Sequence, residues 1–151
     1  MINSIALLGE YTPTHGAPGA PESNNYLVTY GRYLMFSRAF VDRFAAEWIE
    51  AWNNHDLNRI LSHYTKDFEM SSPFIAQITG EPSGTLKGKE AVGAYWAKAM
   101  ELMPSLHFEL VTALAGVESI TLYYRGARGM AAEVFFFNPD QKVTKACAHY
   151  A

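Results

Sequence analysis

Apolar residues recur at spacings of three and four early in the chain, at Val41, Phe44, Ala45, Trp48 and Trp52, with Asp42, Arg43, Glu47 and Glu50 filling the other side. That is one apolar stripe on an amphipathic helix. Asn53 and Asn54 stop it, and Asp56 can cap a second helix whose stripe is Leu57, Ile60, Leu61 and Tyr64. Residues 68–72 turn to strand chemistry, and Pro73 closes the strand. Residues 73–87, rich in Gly, Pro, Ser and Thr, read as one long loop, and loops of this length in compact domains are often functional. A third stripe, from Ala91 and Val92 through Tyr95, Trp96, Ala99 and Met100 to Met103, predicts a helix that Pro104 ends. Three or four strands follow, at about 106–113, 118–125, 129–138 and 142–150, with turns at Gly116, Gly126 and Asn138-Pro139-Asp140. Helices first and an antiparallel meander last is an α+β pattern. Helices that bury aromatic faces need a sheet to bury them against, so a binding site is expected between the two.

Residues 1–35 differ from the rest. Pro13, Gly16, Pro18, Gly19 and Pro21 crowd residues 10–25, where neither helical nor strand periodicity is visible. This predicts a flexible N-terminal tail. Met35 stands just before the first helix, so a second reading starts the protein at Met35 and makes the upstream segment a product of gene calling. In both readings the folded domain is residues 36–151.

Composition narrows the class. An apolar fraction of 49% is ample for a core, and a net charge of −3 gives no sign of a nucleic-acid or polyanion partner. The lone Cys147 excludes an intrachain disulfide framework and fits a reducing compartment. No apolar run approaches the ~20 residues of a membrane span. No Lys or Arg precedes Arg32, and residues 5–8 are too short for the apolar centre of a signal peptide. The expectation is a soluble cytoplasmic protein with no membrane partner.

Glu133 is the sharpest candidate for chemistry. It is the one acid in the strand GMAAEVFFF, where period two puts Ala131, Glu133, Phe135 and Phe137 on one face and Ala132, Val134 and Phe136 on the other. Neither face suits water. A part-buried carboxyl must find a partner or hold a proton, and a raised pKa suits a general acid or base. The competing reading is a structural Glu, paired with Arg125 or Arg128 or hydrogen-bonded to a Tyr or Trp. Trp48, Trp52, Trp96, Tyr124 and Tyr150 are core by helical and strand spacing, or else they line a pocket for a flat apolar molecule. Tyr64, Ser72, Phe74 and Phe135 join them as candidate ligand contacts. Tyr150 shares a strand face with Ala146 and Ala148, so His149 and Cys147 point the other way.

The remaining polar residues carry less. Arg125 and Arg128 flank a hairpin turn and read as solvated cations, with an anion contact at a pocket mouth as the alternative. His55 belongs to a turn, His63 to a helix surface, and His107 faces solvent. His55 and His63 lie across a helix break, poor spacing for ligands. No metal and no cofactor are expected. The apolar outward face of Val134 and Phe136, which helices on one side of a sheet leave bare, predicts a homodimer.

With WIEAWNNHDLNRILSHYTKDFEM near the start and GKEAVGAYW in the middle, the chain resembles the nuclear transport factor 2-like superfamily from about Phe40 onward. It is most similar to the SnoaL-like small bacterial members. The resemblance implies an NTF2-like cone, a curved, mainly antiparallel sheet wrapped over three helices around one pocket. That fold hosts isomerases, cyclases, dehydratases, hydrolases and non-catalytic binders, so it does not give the activity.

Within that superfamily, ketosteroid isomerases hold a strand Asp protonated as a hydrogen-bond donor, and Glu133 lies at the similar place. Their general-base Asp precedes a proline at the end of the first strand, where this chain has Ser72 before Pro73. A serine cannot replace a carboxylate base. Trp48 and Trp96 stand where two tyrosines of the isomerase network are implied, and only Tyr64 keeps its tyrosine. Steroid isomerisation by that mechanism is therefore not expected.

Two functions stay open. One is a cofactor-independent enzyme acting on a small neutral organic molecule by isomerisation, cyclisation, dehydration or hydrolysis. Glu133 would be its acid or base, with Tyr64 and Trp48 as positioners. The other is a non-catalytic carrier of such an apolar or aromatic molecule. Glu133 favours the first and Ser72 the second.

Overall fold

Ser37 starts the first helix: its hydroxyl accepts the Phe40 N–H at 3.2 Å, and α1 runs Arg38–Asn53. The computed structural model describes residues 28–30 and 33–151, with side chains from Phe36 onward. Every apolar position expected on the α1 stripe is buried, and Phe40 and Ala51 join them. His55, at φ 53°, turns the chain, and Asp56 caps α2 (Leu57–Ser62) by accepting the Arg59 N–H at 3.0 Å. Tyr64 is not the end of that helix. It opens β3 (Tyr64–Ser71) and is buried within the sheet.

The expected loop at 73–87 is instead a helix and a strand, α3 (Pro73–Thr79) and β4 (Thr85–Lys87). Ser72 Oγ accepts the Phe74 N–H at 3.2 Å and Pro73 takes the first helical position, where no N–H is needed. Gly80 ends the helix at φ 81°, a conformation that costs glycine nothing. The Ser, Pro and Gly that suggested a loop are thus the two ends of a short helix. α4 (Lys89–Leu102) follows, burying Val92, Tyr95, Trp96 and Ala99.

Four strands then close the chain: β5 (Glu109–Gly116), β6 (Ser119–Gly126), β7 (Gly129–Phe137) and β8 (Val143–Tyr150). The sheet order is β4-β3-β8-β7-β6-β5, antiparallel except for the parallel pair β3 and β8. The α+β architecture is the expected one, a curved open sheet over helices, with a fourth short helix added. β1 (Val28–Tyr30) and β2 (Tyr33–Met35) pair as a separate two-stranded sheet in a segment expected to carry no strands. The expectations of a flexible 1–35 tail and of a Met35 start otherwise lie outside the described residues.

The core is an aromatic stack between α1 and the sheet. Trp48 has no exposed surface, and its ring lies 5.4 to 5.8 Å from those of Trp52, Phe108, Tyr124 and Phe135. On β7 the two faces separate as period two requires. Ala131, Glu133, Phe135 and Phe137 are buried, while Phe136 is exposed.

Candidate functional site

Strand register opens a gap in this core. Ala131 on β7 pairs with Tyr124 on β6 and with Tyr150 on β8, so a methyl group stands between two phenol rings. One pair along, Glu133 stands beside Ala148. The space beside Ala131 continues into a cavity walled by Trp52 of α1, Phe74 and Ile78 of α3, and Tyr95 and Trp96 of α4. Its volume is about 140 Å³, well above what one water needs and room for a small organic molecule.

Glu133 is the only acidic side chain in the lining. It is 4% exposed, its Oε2 accepts the Tyr124 hydroxyl at 3.4 Å, and its Oε1 has no partner. Of the partners that the sequence suggested, a tyrosine is present and the arginines are not. Burial pushes the carboxyl up to about 8, against the small downward pull of Tyr124. At neutral pH it is mainly protonated. The phenols of Tyr124 and Tyr150 are raised first by burial and then by the charge that Glu133 takes on when ionised.

A second polar group adjoins the cavity. Ser72 Oγ, besides capping α3, receives the Tyr95 hydroxyl at 3.4 Å and lies 3.5 Å from that of Tyr150. Ser72 is 97% buried and spent on these contacts and the helix cap.

The candidate contacts divide. Trp52, Phe74, Trp96, Tyr124, Glu133 and Tyr150 line the cavity. Trp48, Tyr64, Ser72 and Phe135 do not; they are packed behind it. The Trp48 indole donates to the Tyr64 hydroxyl at 3.0 Å, which satisfies the buried indole N–H. Tyr95, Met103 and Phe108 also line the cavity, although sequence reading did not select them as ligand contacts, and so does Arg128, for which an anion contact was the alternative reading. Tyr95 was visible only as one more position of an apolar stripe.

The arginine pair also separates. Arg125 reaches Glu109 at 4.0 Å on the exposed surface, whereas Arg128 lies at the cavity mouth with its guanidinium carbon 4.6 Å from the centre of the Phe74 ring. His63, expected on a helix surface, is half-buried and set edge-on against Phe44, and burial lowers its pKa. His55 Nε2 lies 3.1 Å from the Leu106 carbonyl oxygen. Among the described residues no three His, Cys, Asp or Glu side chains gather into a metal site. No helix among them is long and apolar enough to cross a membrane.

The family model of the SnoaL-like domain matches residues 45–147. The chain belongs to the SnoaL-like family. A SnoaL-like protein of unknown function from Burkholderia thailandensis E264 is 60% identical, with a TM-score of 0.73 over 76% of this chain and 97% of that one. A cystatin-like-fold protein from Methylobium petroleophilum PM1 shares the fold at 14% identity, with a TM-score of 0.61 over 78% and 79% of the two chains. A ketosteroid isomerase-like-fold protein from Catenulispora acidiphila DSM 44928, solved with trimethylamine, does so at 16% identity, with a TM-score of 0.55 over 70% and 83%. No curated protein matches the sequence.

Proposed function

We propose that this SnoaL-like protein holds a small, mainly apolar organic molecule, neutral where it meets the cavity floor, and moves a proton on it with Glu133. The observation that supports this reading is a carboxyl 4% exposed, lining a cavity, with one oxygen unpartnered and a pKa raised to about 8. A structural carboxylate would be expected to carry a cation or several donors. Glu133 has one phenol at 3.4 Å. A pKa near the working pH lets one group donate a proton and take it back, which is what isomerisation, cyclisation, dehydration or hydrolysis requires of it. Trp52 and Trp96, packed edge-to-face with centroids 5.4 Å apart, would wall the apolar part, with the Tyr95, Tyr124 and Tyr150 hydroxyls orienting its polar atoms. A cytoplasmic setting suits the lone Cys147.

The competing reading is a carrier without catalysis. It is favoured by Ser72, which stands where a second carboxylate would serve as base and is instead committed to the α3 cap. The test is Glu133→Gln on a ligand identified by native mass spectrometry of the purified protein. A catalytic Glu133 predicts a turnover loss of ~10²-fold or more with stability nearly retained at about pH 5. Full turnover in the variant would end the catalytic reading, and binding without turnover in the wild type would establish the carrier.

A further inference from the structure

We infer that the ligand is an amphipathic monoanion, with its apolar body in the cavity and a carboxylate held at the mouth by Arg128. This rests on the small-molecule reading above and adds the head group to it.

The β6–β7 hairpin closes at Gly126 opposite Gly129, leaving Ala127 and Arg128 as the turn. All four residues line the mouth of the cavity. Arg128 makes no ion pair among the described residues, unlike Arg38, Arg59 and Arg125. Its guanidinium lies over the Phe74 ring, and Tyr150 packs on that same ring with centroids 4.3 Å apart. The cation is thus parked at the rim by two residues that also wall the cavity. A ring contact of this kind uses the guanidinium's charge and consumes none of its N–H donors, and Arg128 makes no ion pair among the described residues. A planar fork of donors matches a carboxylate better than any neutral group, since both oxygens can be engaged at once.

The charge of the site supports the assignment. Arg128 is the one basic and Glu133 the one acidic side chain in the lining, which also includes Ala151. With Glu133 protonated at neutral pH and the tyrosines neutral, Arg128 is the one charged side chain there. A cationic ligand would meet that charge at the entrance. A neutral one would leave it unused. A dianionic phosphate would leave half of its own charge unpaired, because no second basic side chain lines the cavity. One carboxylate balances the site.

The experiment is a titration followed by tryptophan fluorescence, since Trp52 and Trp96 line the cavity. The probes are carboxylate and amide pairs of equal shape: 3-phenylpropanoate with 3-phenylpropanamide, and octanoate with octanamide. They are applied to wild type, Arg128→Gln and Arg128→Lys at low salt, with thermal midpoints confirming that each variant folds. Wild type should bind the carboxylate of a pair about tenfold or more tighter than its amide, as a charge-assisted pair implies. That preference should collapse in Arg128→Gln, survive in part in Arg128→Lys, and shrink as salt rises. Equal binding of both members by wild type would overturn the head-group assignment and leave the cavity reading standing. So would a carboxylate preference that persists in Arg128→Gln. Binding of neither member of any pair would overturn the cavity reading and this inference with it.

Discussion

The Tyr124 hydroxyl donates to Glu133 Oε2 at 3.4 Å, and Glu133 Oε1 has no partner at all. One long hydrogen bond is little to hold a carboxylate away from water. The group therefore keeps its proton in the folded protein well above the pH at which it would release it unfolded.

This makes stability depend on pH in one direction. Burial pushes the Glu133 carboxyl to about 8 in the folded protein, against 4.5 for a free glutamate side chain. An acid with a raised folded pKa contributes its full stability below the unfolded value and loses it as pH climbs through the folded one. Wild type should therefore weaken relative to Glu133→Gln between about pH 4.5 and 8, by on the order of a few kcal/mol at ~1.4 kcal/mol per unit. Urea unfolding of both proteins at pH 5, 7 and 9 checks this, and His63 cancels because both carry it. A constant difference across that range would show that Glu133 is not held protonated.

Tyr124→Phe should raise the Glu133 pKa further, because its hydroxyl favours the ionised carboxylate. The variant should lose ~1 kcal/mol of stability, the usual net value of one hydrogen bond. The carboxyl carbon shift of Glu133 followed by NMR against pH gives both midpoints. A midpoint that falls in the variant would contradict the geometry.

Trp48 is fully buried, donates to Tyr64, and is absent from the cavity lining. Trp48→Phe should cost ~2–3 kcal/mol through lost packing and the orphaned Tyr64 hydroxyl. Affinity for any cavity ligand should stay within about threefold, since no contact is removed. Chemical denaturation beside a binding titration separates the two. A large affinity loss with full stability would place Trp48 in the site.

The outward sheet face carries Leu114, Tyr123 and Phe136, each more than a third exposed, around Thr121 and Val134. Helices pack on the opposite face. We propose that a second copy of the chain covers it through a two-fold interface. Sedimentation at micromolar concentration should show a dimer that Phe136→Asp converts to monomer. A wild-type monomer under those conditions would refute the proposal.

The sequence by itself determined what depends on local geometry. Spacings of three and four marked α1 and α4, because a helix turns once every 3.6 residues whatever surrounds it. Period two placed Glu133 with Ala131, Phe135 and Phe137, and set Tyr150 opposite His149, because a strand alternates its side chains regardless of its neighbours. The caps of α3 were also written there, in Ser72, Pro73 and Gly80, and were read as a loop because the same residues serve both.

Only the tertiary structure decided which aromatic residues meet the cavity. Trp48 and Trp52 sit one turn apart on the same stripe, yet one is core and the other is wall. Tyr64 and Phe135 look no different from Tyr124 and Tyr150 along the chain. What separates them is the pairing of Ala131 with Tyr124 and Tyr150, which puts the empty volume at one row of the sheet and not the next. Arg125 and Arg128 divide for the same reason: the hairpin turns one toward Glu109 and lays the other over Phe74. Cross-strand register and the docking of α3 are contacts between residues far apart in the chain, and no local period encodes them.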